Sequence, residues 1–129
     1  MSERTVTHSI ESDAQSDAVQ RILTDASRIP EWAPAFADRV ERDDENAWQV
    51  AKNGNAFTLE VVVGPSSGTV DYLREIAPGR KGGAFLRVLS RLGGGSVVVM
   101  TLPVPPGQSR DDVAALLKQE LASLVKLAI

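Results

Sequence analysis

Hydrophobic and polar residues alternate singly from Thr5 to Glu11, with Val6, His8 and Ile10 on one side and Thr5, Thr7 and Ser9 on the other. A period of two sends successive side chains to opposite faces, so the segment predicts a half-buried strand. The period then changes. Ala18, Val19, Ile22 and Leu23 recur at helical spacing behind Ser12-Asp13, which can cap a helix, and Asp17, which suits its first turn. That helix is expected to end near Asp25. A second short helical turn is expected from Ser27 to Trp32, where Pro30 and Pro34 interrupt the hydrogen-bond ladder and make the chain bend.

From Asp38 onward the helical period is gone. Arg39 to Arg42, Ala47 to Lys52, Phe57 to Val63 and Thr69 to Ile76 read as strands, and clusters of Asp, Asn, Gly, Pro and Ser separate them. Asn53-Gly54 is a hairpin signal, because both residues tolerate positive φ. Pro78 to Gly83 reads as a loop. Ala84 to Leu92 fits a helix through Phe85, Val88, Leu89 and Leu92, and a strand through Leu86, Val88 and Leu92 opposite Arg87 and Arg91. Periodicity alone leaves both forms open. Ser96 to Val104, with its run Val97 to Leu102, is strongly β and ends in prolines. Ser109, with Asp112 three residues on, then opens a helix of roughly five turns. Its apolar face is Val113, Leu116, Leu117, Leu121, Leu124, Val125 and Ala128. One strand, two short helices, a strand meander and one long helix describe an α+β domain.

The length of 129 residues fits a single domain spanning 1–129. The net charge of −3 comes without any long basic block, which argues against general nucleic-acid binding. With no cysteine, disulfides, thiolate metal sites and a cysteine nucleophile are all excluded. No paired-histidine metal motif or Gly-x-Ser-x-Gly elbow occurs, and neither a metal nor a cofactor is expected. No apolar run approaches the roughly 20 residues that span a bilayer, so no membrane insertion is expected. The opening residues lack the pattern of a signal peptide, and a cytoplasmic location follows as the expectation.

The element order, together with Ile10 to Ala14, Val19 to Leu23, Asp25 through Pro34 and the proline-rich entry to the last helix, resembles the START-related, polyketide cyclase/dehydrase and lipid-transport superfamily. The resemblance covers nearly the whole chain. It implies a helix-grip fold, in which a curved antiparallel sheet wraps around a long C-terminal helix with two short helices after the first strand. It also implies an apolar cavity between sheet and helix, and a meander that makes Ala84 to Leu92 a strand. Because the chain is shorter than many members, a smaller cavity is expected.

Within that frame the candidate ligand-binding residues are His8, Trp32, Phe36, Trp48, Phe57, Tyr72, Arg74, Met100, Leu117 and Leu121. Apolar walls with a few polar anchors are what small-molecule sites are made of. His8, the one histidine, reads either as a polar anchor or proton carrier in the pocket or as a structurally satisfied side chain. The aromatic residues read equally as pocket wall or plain core, and Trp32, on its connector, has the best claim to the mouth. Arg74 on the pocket face could pair with a carboxylate or enolate, while Asp71 points the other way; Leu73 argues for the opposite assignment of faces. The basic residues Arg80, Lys81, Arg87 and Arg91 read as a solvated face. No catalytic residue is assigned.

Three functions fit. The first is binding or transport of a small hydrophobic or aromatic molecule, with the Ile29 to Phe36 connector as a gate. The second is a polyketide cyclase or aromatase-like enzyme using His8 or Tyr72 as its acid–base group. The third is a protein-interaction module with a filled cavity. Unpaired strand edges leave a homodimer open as well.

Overall fold

The computed structural model describes residues 4–129. Seven antiparallel strands, β1 (Thr5–Ser12), β2 (Arg39–Arg42), β3 (Ala47–Lys52), β4 (Asn55–Gly64), β5 (Thr69–Ala77), β6 (Arg80–Ser90) and β7 (Ser96–Pro103), form one sheet in the order β1-β7-β6-β5-β4-β3-β2. The helices are α1 (Ser16–Thr24), α2 (Ile29–Trp32) after a 3-10 turn at Ala26–Arg28, and α3 (Arg110–Leu127). The curved sheet grips α3 in a helix-grip arrangement. Every strand from β2 to β7 pairs with its sequence neighbour, and β1 closes the order by pairing with β7.

Alternation does most of the folding work. Val6 and Ile10 on β1, Val98 and Met100 on β7, Leu86 and Val88 on β6, Val70 and Tyr72 on β5 and Leu59 and Val61 on β4 all turn inward onto the helices. Register aligns His8, Met100, Leu86, Val70 and Val63 in a row across five strands. On α3, Val113, Leu117, Leu121, Leu124 and Val125 are buried, as the helical period requires. The Ser109 hydroxyl accepts the Asp112 amide at 3.1 Å and so caps the helix as anticipated.

Three local expectations need correction. Ser12 does not cap α1, because the sheet uses it: it pairs with Ser96, and its hydroxyl accepts the Ala14 amide at 2.9 Å. Gln15 stands at the helix start without a side-chain cap. Pro30 breaks nothing, because it occupies the first turn of α2, where no N–H is required, and the bend falls after Trp32 at Ala33. The expected loop from Pro78 to Gly83 is only a tight turn at Pro78-Gly79, and β6 begins at Arg80. Gly83 belongs to the sheet because β5 comes so close that a β-carbon there would run into the Tyr72 carbonyl oxygen.

The Asn53-Gly54 turn takes the positive φ values its sequence announces, 52° and 81°. The edge strand β2 is four residues long and carries Arg39, Glu41 and Arg42, a charged edge that discourages further strand addition.

Candidate functional site

Antiparallel pairing brings the starts of β4 and β6 and the ends of β5 and β7 to the same end of the sheet. Between that end, α2 and the first half of α3 lies a cavity of about 720 Å³. This volume falls within the roughly 300–1,000 Å³ of ordinary ligand pockets. Leu59, Tyr72, Ala84 and Met100 form its sheet wall, Ile29 and Trp32 come from α2 and Ala33 from the bend after it, and Val113, Leu116 and Glu120 from α3. Asn53, Asn55, Arg74 and Ile76 are exposed lining residues and mark the mouth.

Six of the ten candidate residues converge here: Trp32, Phe36, Phe57, Tyr72, Arg74 and Met100. Phe36 and Phe57 meet edge to face, with ring centroids 5.6 Å apart. The Arg74 guanidinium stacks on Phe57, 3.8 Å from the ring centroid, and has no carboxylate partner among the described residues. Asp71 points to the other face and pairs with Arg87 at 2.9 Å, so strand parity places Arg74 correctly and Leu73 outward.

Trp32 is 3% exposed and its ring lies 6.2 Å from that of Tyr72. It is a wall of the cavity rather than its mouth. The four remaining candidates lie outside. Leu117 and Leu121 are sealed in the core between α3 and the sheet. Trp48 packs opposite Leu59 with Arg42 stacked on its ring. His8 faces inward but sits on edge strand β1, one strand beyond Met100, and does not line the cavity.

The Tyr72 hydroxyl is committed. It donates to the Leu23 carbonyl oxygen at 2.6 Å, satisfying one of the acceptors that the last turn of α1 leaves free. Burial, with a smaller contribution from Asp25, holds its proton well above the usual phenol range. Such a group neither gives nor takes a proton near neutrality. Replacing Tyr72 with phenylalanine is expected to lower unfolding free energy by about 1–2 kcal/mol, because the Leu23 carbonyl loses its partner. Ligand affinity should stay within about twofold. Thermal melts alongside titration calorimetry check both halves.

Sequence reasoning missed Glu120. It is 6% exposed, lines the cavity and has no hydrogen-bond partner among the described residues. Burial pushes its carboxyl up to about 7. The signal was available: Glu120 lies seven residues after Val113 and three after Leu117, inside the apolar stripe. The Trp32 indole Nε1–H is buried away from the cavity space and has no hydrogen-bond partner among the described residues.

The connector from Ala33 to Asp38 is tied to the β3–β4 hairpin. The Lys52 ammonium donates to the Pro34 carbonyl at 2.9 Å and to Asp38 at 3.1 Å. The second Asp38 oxygen accepts the Asn53 amide at 2.9 Å. The backbone bond and the lysine together hold the Asp38 carboxyl below its ordinary range.

The fold recurs in proteins of low sequence identity. XoxI from Bacillus cereus is 13% identical over 98% of this chain and 96% of its own, with a TM-score of 0.72. The Zhui aromatase/cyclase from Streptomyces sp. R1128 is 18% identical over 97% and 93%, with a TM-score of 0.64. A START superfamily protein from Mycobacterium smegmatis is 15% identical over 97% and 94%, at 0.63. A comparison with curated proteins finds no significant match. The family model for polyketide cyclase / dehydrase and lipid transport matches residues 3–128, and with the helix-grip sheet and its cavity already in place, the chain belongs to that family.

Proposed function

We propose that the protein binds a small hydrophobic or aromatic molecule in the cavity between α2, α3 and the end of the sheet. The observation that carries this reading is the cavity itself, about 720 Å³ and walled by Trp32, Phe36, Phe57, Tyr72 and Met100. Burying a ligand's apolar surface there supplies roughly 25 cal/mol per Å² before the costs of association. Arg74, stacked on Phe57 at the mouth and free of a carboxylate, is placed to meet an anionic group at the outer end of the ligand. Glu75 also lines the mouth and restricts where that group can sit. The connector tethered by Lys52 and Asp38 forms the side of the mouth through which a ligand exchanges.

Nothing in the geometry favours a proton-transfer role for His8 or Tyr72. One lies outside the cavity and the other spends its hydroxyl on Leu23. An open cavity likewise speaks against a module whose interior is filled.

The test is to incubate the purified protein with cell extract, re-isolate it and examine it by native mass spectrometry. A stoichiometric small molecule is expected, absent from a Leu116→Trp variant that fills the cavity and weakened by Arg74→Ala. A clean spectrum, with a melting temperature unmoved by a panel of lipids and aromatic metabolites, would sink the reading.

A further inference from the structure

We infer that Glu120 makes the inner end of the cavity a site for the ammonium group of an amphipathic amine, whose apolar body fills the space out to the mouth. The inference rests on the binding reading above and adds the chemistry of the ligand's inner end.

Val113, Leu116 and Glu120 follow one another at intervals of three and four along α3, so they stand in a single row, and all three line the cavity. At roughly 1.5 Å of rise per residue the row spans about 10 Å. The exposed lining residues Pro105 and Gln108 precede it on the open side. Leu124, one turn beyond, is fully buried and is not a lining residue. Glu120 therefore stands at the end of the row away from the mouth.

The residue is 6% exposed, yet its carboxylate oxygens retain accessible surface, and the space they border is the cavity. Burial is the whole cause of its raised carboxyl, to which no hydrogen bond and no charge contributes. The elements packed on α3 carry His8 and Glu11 on β1, Glu31 on α2, and Asp17 and Arg21 on α1, with no titratable residue on β7, and none of these shifts it. Among the lining charges, Lys52 is held by Pro34 and Asp38, and Arg74 and Glu75 are exposed at the mouth. Glu120 is thus the one charged side chain at depth in the cavity among the described residues.

What fills the space decides the cost of that carboxylate. A wholly apolar ligand displaces its water and offers no partner, so Glu120 must take up a proton. A ligand carboxylate adds a like charge. A hydroxyl supplies one hydrogen bond and leaves the charge uncompensated. An ammonium supplies the opposite charge and three donors to a group that, when ionised, only accepts. Attraction between the two is little screened between apolar walls. The fold has already desolvated the carboxylate, so only the ammonium's desolvation remains to oppose binding.

Calorimetric titration at pH 6 and pH 8 compares 2-naphthylmethylammonium with 2-naphthylmethanol, a charged and a neutral head group on one skeleton. Glu120 titrates at about 7, so it is mostly protonated at the first pH and mostly ionised at the second. At pH 8 the ammonium is expected to bind at least about tenfold tighter than the alcohol, and that ratio should fall by about tenfold or more at pH 6. Glu120→Gln keeps the side-chain shape and every other titratable group, so the ammonium's advantage and its pH dependence should both vanish there. Melting curves establish that the variant is folded, and the wild-type ratio at the two pH values carries the test should it not be. Equal affinities at pH 8, a ratio that does not change with pH, or an advantage that survives in folded Glu120→Gln overturns the inference. Binding of the alcohol then leaves the binding reading standing. Failure of both compounds to bind removes both readings together.

Discussion

Glu120→Gln will gain stability over the wild-type protein as pH rises, from no pH-dependent difference near pH 4 to a gain of about 3 kcal/mol above pH 8. The folded-state carboxyl titrates at about 7 against an ordinary 4.5, and burial is the cause. The folded protein therefore holds this proton more tightly than the unfolded chain does. Stability is fully present below the unfolded value and is lost as pH rises through the folded one, so the window runs from about 4.5 to 7. Glutamine cannot ionise and escapes the loss. Glu31 and Asp38, whose carboxyls are held low by Arg28 and by Asn53 and Lys52, act with the opposite sign. They lose their contribution only below the ordinary carboxylate range, outside this window. Urea unfolding at a series of pH values measures the difference between the two proteins. A gap that does not change with pH would mean that Glu120 is solvated in the folded protein.

A second large effect separates two neighbours on α3. Leu117 is fully buried under the sheet, whereas Leu116 is half-buried and lines the cavity. Leu117→Ala is expected to cost about 3–5 kcal/mol, the range for removing a sealed leucine whose surroundings cannot collapse into the space. Leu116→Ala already borders empty volume, so its side chain has fewer packing partners to lose, and about 1 kcal/mol is expected. The order reverses for ligand: affinity should fall several-fold for Leu116→Ala and little for folded Leu117→Ala protein. Denaturant unfolding and calorimetric titration of both variants read the two quantities. Comparable losses of stability at the two positions would mean that the cavity closes in solution.

These two leucines also show what the sequence could and could not reveal. The helical period put both on the apolar face of α3, and it was right about burial for Leu117 and Leu121. It could not say which of them faced the core and which faced empty space, because that depends on where α2 and the end of the sheet stop. The same limit explains His8 and Met100, which share a face and a row of the sheet. Only the neighbouring strands place Met100 against the cavity and His8 at the edge. Alternation and turn residues carried the meander well, since a half-buried strand leaves a period of two wherever one face meets the core. They failed at Gly82-Gly83, because paired glycines signal a loop, and the need for a bare backbone beside Tyr72 is invisible until β5 and β6 are aligned. Glu120 was the reverse case: its period placed it inside, and its charge led it to be passed over.

The pairing of β1 with β7 has a consequence for how the chain acquires this structure. The Thr7 and Thr101 hydroxyls meet at 2.8 Å across a separation of 94 residues, whereas β2 through β7 can form as successive hairpins. During synthesis the hairpins can therefore assemble while Thr5–Ser12 waits, an amphipathic strand with nothing to hold. Closing so long a loop late makes folding slow for a domain of this size and exposes an aggregation-prone segment in the interval. The strand and helix made after the other elements, β7 and α3, are the ones that shelter β1.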